Sequence, residues 1–248
     1  MKRREMLKLG SAAALAWSTL PLAWGADQEK RQKVLYFTRS VGFEHSAVHR
    51  EGDQLSHSEK VLTEMGRRAG FDVECTKDGS VFDGDLDRYD AIAFYTTGDL
   101  TKPDPAAQPG KPSRPSTPPM TPAGKQNLLD AIASGKGFIG FHSATDTFHS
   151  AGPRGENQVD RDPYITMIGG EFVKHGKQQE ASLIISSRFP GAGQMGCAEG
   201  ISFTEEWYAL KNFAEDLHVI LVQETDFMTG EPYERPNFPM TWARMHGK

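Results

Sequence analysis

A chain of 248 residues, 38% hydrophobic and 25% charged, has a globular composition and the length for one sizeable domain or two small ones. Its formal net charge of −5 offers no basic field for nucleic acid, and no charge run is long enough for a membrane-surface arm. Two cysteines, Cys75 and Cys197, are too few for a disulfide framework or a Cys-rich zinc site, although an oxidising compartment would permit one bridge.

Residues 1–25 read as an export signal. Lys2, Arg3 and Arg4 precede an apolar stretch, Leu9 to Trp24, that is too short and mild for a span of ~20 strongly apolar residues. Ala23-Trp24-Gly25 supplies the small residues that signal peptidase requires, and Arg3-Arg4-Glu5-Met6-Leu7-Lys8 has the form of a twin-arginine signal. The mature chain is therefore expected in the periplasm or otherwise exported, with no stable membrane span and a net charge of about −8. Twin-arginine export moves folded proteins, often with a cofactor in place, which favours a bound metal.

One domain is expected over residues 26–248. Lys33–Thr38 is a first buried strand. Residues 54–69 place Leu55, Val61, Leu62, Met65 and Ala69 on one helical face, ended by Gly70. Phe71–Thr76 and Asp90–Tyr95 are the second and third strands. Residues 101–122 hold eight prolines and form an inserted loop, either overhanging the sheet edge or standing off the surface. Thr121 caps the next helix, Pro122 opens it, Leu128, Leu129, Ile132 and Ala133 form its apolar face, and Gly135 stops it. Gly137–His142 is a fourth strand, residues 163–170 a short helix, and Ala181–Ser186 and His218–Gln223 further strands. This alternation predicts an α/β fold with a doubly wound, mainly parallel sheet, helices on both faces, and a ligand site beyond the strands' carboxyl ends.

Polar clusters follow the strands or gather further along: Gly42–Ser46, His142–His149, Gly169–Phe172 with His175, and Glu205–Tyr208. Four of the eight histidines (45, 142, 149 and 175) fall in them, and imidazole can move a proton or ligate a metal near neutral pH. Gly140-Phe-His-Ser-Ala-Thr-Asp-Thr-Phe-His149 resembles the central motif of the ThuA-like (trehalose-utilisation) family. Gly42–Ser46, Ile168–Phe172 with His175, Glu205–Tyr208 and the closing Pro239–Lys248 fit the same family, so the resemblance runs over residues 33–248 apart from the proline-rich insertion.

The resemblance implies a flavodoxin-like sheet similar to that of class I glutamine amidotransferases, and a link to sugar metabolism. Where those enzymes present a nucleophilic Cys on a sharp turn, this chain has His142, and neither cysteine sits in such a turn. Cys-dependent glutaminase chemistry is therefore not expected. Ser143 lacks the Gly-x-Ser-x-Gly surroundings of a serine nucleophile.

The leading expectation is an enzyme of hydrolase, lyase or isomerase type, acting on a sugar or keto-sugar by His-mediated acid/base or metal-assisted chemistry. His142 is its central base or ligand, with His45 and Glu206 as partners. Ser143, Asp146, His149, His175, Trp207 and Tyr208 are expected to contact the sugar. The candidate ligands for a zinc-type ion are His45, His142, His149 and His175, although the usual local spacings are absent. The alternatives are a non-catalytic periplasmic carbohydrate-binding module and an interaction protein using its proline-rich loop. Similar proteins continue past the equivalent of Lys248 into a further strand and a Gly-His segment, so truncation or an open sheet edge is also expected.

Overall fold

The computed structural model describes residues 30–103, 116–187, 189 and 200–248. The expected export signal, most of the proline-rich segment and Cys197 lie outside these residues.

Strands β1 (Lys33–Phe37), β2 (Asp72–Thr76), β3 (Ala91–Phe94) and β4 (Gly137–Gly140) form a parallel sheet in the order β2-β1-β3-β4. The chain runs outward from β1 to β2, then returns to place β3 on the other side of β1. In open α/β sheets such a reversal of strand order creates a crevice at the carboxyl ends.

Alternate residues of β1 serve the two faces. Leu35 and Phe37 join Ile92 and Phe94 in a core closed by Leu128, Leu129 and Ile132 of helix α2 (Pro122–Ala133). On the other face, Tyr36 meets Ser58 and Thr38 donates to Glu59, both on helix α1 (His57–Ala69). Thr121 caps α2 by accepting from Gly124 N, with Pro122 in the first turn, as the sequence predicts.

Helix α1 turns a different face inward from the one its apolar residues suggest. Val61 and Met65 are 45% and 55% exposed, whereas Glu59 and Gly66 are buried. Glu59 accepts two bonds from Arg50, one from Thr38, and one from the backbone of Ser56 in a capping box. A buried carboxylate with these partners fixes the rotation of the helix more strongly than two methyl-bearing side chains can. Gly66 reinforces it, because a Cβ there would lie 2.7 Å from the Phe71 carbonyl oxygen.

The described end of the proline-rich segment packs into the core. Met120 is fully buried, its N–H bonds Leu100 O, and Gly79 N–H bonds Pro118 O. The fourth strand is not buried: Ile139 is 47% exposed, and the outer edge of β4 has no strand partner among the described residues.

The remaining strands do not extend the parallel sheet. β6 (Gln179–Ile185), β7 (Gly200–Glu205), β9 (His218–Gln223) and β10 (Phe238–Ala243) form an antiparallel sheet in the order β10-β9-β6-β7. β5 (Glu171–His175) pairs antiparallel with β8 (Tyr208–Lys211). The expectation of one mainly parallel sheet is thus corrected for the second half of the chain. A parallel connection needs a crossover of a dozen or more residues, usually helical. The last α-helix among the described residues is the six-residue α3 (Pro163–Ile168), ended by Gly169 at φ 79°.

Candidate active site

The loop after β1 and the turn after β4 meet at the carboxyl edge of the parallel sheet. His142 follows β4 and Phe141 directly and opens a short 3-10 turn, His142–Asp146, with φ 44°. A left-handed backbone at a non-glycine residue costs about 1–2 kcal/mol, and here it aims the imidazole out of the sheet. Gly98, at φ 79°, anchors this turn by donating to Asp146 O at 2.7 Å and accepting from Phe148 N at 3.3 Å. Across the crevice, His45 precedes the 3-10 turn Ser46–Val48.

The Nε2 atoms of His45 and His142 lie 3.1 Å apart. Tyr208 Oη is 3.2 Å from His45 Nε2, and Glu206 Oε2 is 3.8 Å from it. The Tyr208 ring packs on His142 at 4.3 Å, and His175, its partner in the β5–β8 ribbon, stacks behind it at 5.9 Å. The site therefore lies between the edge of the parallel sheet and the antiparallel ribbon. A cavity of about 880 Å³ runs from His142, Glu206 and Tyr208 along the outer edge of β4.

Burial sets the electrostatics. It lowers His142 to about 4, helped by the like charges of His45 and His175 when protonated. Burial also lowers His45, against the opposing pull of the Glu206 and Asp146 carboxylates. Both imidazoles are therefore neutral at pH 7. His45 Nδ1 is buried without a partner among the described residues. Facing each other at 3.1 Å, the two Nε2 atoms share one proton between them, one ring donating and the other accepting. Tyr208 is raised by burial and by nearby carboxylates, and Tyr95, whose ring lies 5.8 Å from each imidazole, is raised to about 12. Both phenols remain protonated donors.

The other expected contact residues divide. Asp146 ends the turn that His142 opens, near enough for its charge to act on both His45 and Tyr208. His149 is held between two carboxylates, its Nε2 2.6 Å from Asp146 and its Nδ1 3.1 Å from Glu171. His175 stacks on Tyr208 with its Nδ1 2.8 Å from Gly176 O. Ser143 is fully buried, and Trp207, which lines the cavity, is 3% exposed and donates to Gln179 O. The exposed aromatic ring beside the histidines is instead Phe43, 64% exposed and 4.8 Å from the His45 ring. It lies within the Gly42–Ser46 cluster, but sequence reasoning fixed on its histidine. Among the described residues, His45, His142 and Glu206 form the one group able to hold a metal ion, with ligand atoms all within 4.8 Å of one another. His149 and His175 do not belong to that group.

Two solved structures share the fold. One is of a putative ThuA-like protein from Bacteroides uniformis ATCC 8492, with TM-score 0.58 and 16% identity, covering 89% of this chain and 81% of that one. The other is of a putative ThuA-like protein from Parabacteroides merdae ATCC 43184, with TM-score 0.53 and 16% identity, covering 86% and 75%. No curated protein matches the chain. The family model described as ThuA, trehalose utilisation, matches residues 33–248, and the chain belongs to that family.

Proposed function

We propose that this protein is an enzyme acting on a sugar or keto-sugar by proton transfer through the His45–His142 pair. The observation that carries this reading is the meeting of two neutral imidazoles, Nε2 to Nε2 at 3.1 Å, with a phenol and a carboxylate at the same point. A neutral imidazole accepts a proton, here from the carbon beside a carbonyl. The protonated Tyr208 phenol then donates a hydrogen bond to the oxygen on which negative charge develops. Phe43 offers the apolar platform on which a sugar face rests.

A metal-assisted variant rests on the His45, His142 and Glu206 group, which would leave a fourth position of a zinc-type ion open as a Lewis acid. It stands second because a metal-bound imidazole ordinarily gives its other N–H to an acceptor, and His45 Nδ1 has none among the described residues. The strand order β2-β1-β3-β4 supports a flavodoxin-like relation. The Arg3-Arg4 segment supports export by the twin-arginine route, which N-terminal sequencing of the mature protein would test.

The decisive experiment compares wild type and His142→Ala for binding of trehalose and for solvent-deuterium uptake into a trehalose oxidised to the ketone, alongside elemental analysis of the wild type. Deuterium uptake should fall by 100-fold or more, at about the scale of general-base loss, while binding persists. Equal uptake by both proteins would refute the enzyme reading and leave a carbohydrate-binding module. A stoichiometric metal, lost together with activity, would bring the metal variant forward.

A further inference from the structure

Behind the histidine pair lies a second ionisable chain that the proton-transfer reading does not use. Glu171, on β5, is almost completely buried, with its side chain 1% exposed. Its Oε2 accepts from Ser150 Oγ at 2.7 Å and Asn212 Nδ2 at 2.6 Å, and its Oε1 from Ser150 N at 3.1 Å, with Lys211 Nζ 3.7 Å away. Burial would raise this carboxyl, but the bonds from Ser150, Asn212 and His149 outweigh it and hold it below its ordinary value. His149 then bridges Glu171 to Asp146, which closes the short turn that His142 opens.

We propose that Glu171 and His149 are positioning residues that hold Asp146 as an oriented carboxyl group for a hydroxyl of the sugar. Each ring nitrogen of His149 faces a carboxyl oxygen, so the imidazole ties Asp146 to the buried Glu171. Lys211 lies beside Glu171, and Arg154 is 3.7 Å from Asp146. On the site side, His45 and Tyr208 are the titratable groups that feel Asp146. The side-chain contacts of Asp146 among the described residues go to Oδ1, and Oδ2 is the oxygen assigned to substrate. A carboxylate fixed in this way accepts a hydroxyl proton in a charge-assisted bond and rejects an analogue lacking that hydroxyl.

The inference rests on the sugar-site reading above, and its test separates the two. Asp146→Asn and Glu171→Gln are compared with wild type by calorimetry for binding of trehalose and of its singly deoxygenated analogues, and for deuterium uptake.

Both variants should lose about 10- to 100-fold in sugar affinity or kcat/KM, the range of one charge-assisted bond. For a singly deoxygenated trehalose that lacks the contacted hydroxyl, the variants and wild type should bind alike, because that bond is absent from all of them. A buried group with only a packing role would weaken trehalose and every analogue equally, and such equal losses would overturn the proposal. If Glu171→Gln does not fold, Asp146→Asn decides: undiminished trehalose affinity in that variant refutes the proposal. Should His142→Ala retain full deuterium uptake, the proton-transfer reading falls, while Asp146→Asn binding still judges this one.

Discussion

At the scale of single residues, His142 holds the site together and sets its pH behaviour. With its proton affinity lowered to about 4 by burial, it stays a neutral base across the range in which a free imidazole would titrate. The acid limb of the rate profile should therefore fall near pH 4 rather than near 6.5. Stability follows the same sign. The unfolded chain takes up this proton near pH 6.5 and the folded chain near 4, so native stability is intact above 6.5 and lost progressively as pH falls through that window. At pH 4 the loss relative to pH 7 amounts to roughly 3 kcal/mol at 1.36 kcal/mol per unit. Urea midpoints at the two pH values should differ less for His142→Gln than for wild type; an equal difference would place the acid sensitivity elsewhere. The pairing of residues 45, 142, 206 and 208 was legible because each stands in a polar cluster after a strand or within the family motif. The burial of Ser143 and Trp207 was not, since exposure depends on what the rest of the chain lays over a residue.

At the scale of elements, helix α1 shows how a polar interaction can override an apolar pattern. Its stop was readable from Gly70, which acts locally as a left-handed C-cap, whereas a capping box of Ser56 and Glu59 starts it at His57 rather than at residue 54. Its rotation was not readable, because the residues that set it, Arg50 and the Glu59 carboxylate, meet only after β1 and α1 pack. Arg50→Ala strands a buried carboxylate and should cost about 3–5 kcal/mol, whereas Met65→Lys, on the exposed face, should stay within about 0.5 kcal/mol. Chemical denaturation of the two variants checks the contrast. A large loss in Met65→Lys would restore the apolar face that the sequence alone suggested.

At the scale of the whole molecule, function depends on three segments converging at Gly98. A Cβ there would lie 2.1 Å from Val41 O, and the residue's φ of 79° disfavours any side chain, so the loops after β1 and β3 and the His142–Asp146 turn touch only around a glycine. Gly98→Ala should cost roughly 3 kcal/mol from strain and overpacking, and should weaken activity more than trimming the exposed Met65 does. Thermal unfolding together with the deuterium assay measures both effects. Local sequence alone determined the first strands, the capped helices and the histidine-bearing motifs, because these follow from side-chain periodicity and backbone preferences within a few residues. Only the tertiary structure decided that the later strands turn antiparallel, that the β5–β8 ribbon carries Tyr208 and Glu171 to the site, and which side chains are buried there. Strand pairing and burial are interactions between distant segments, and no short stretch of chain encodes its partner.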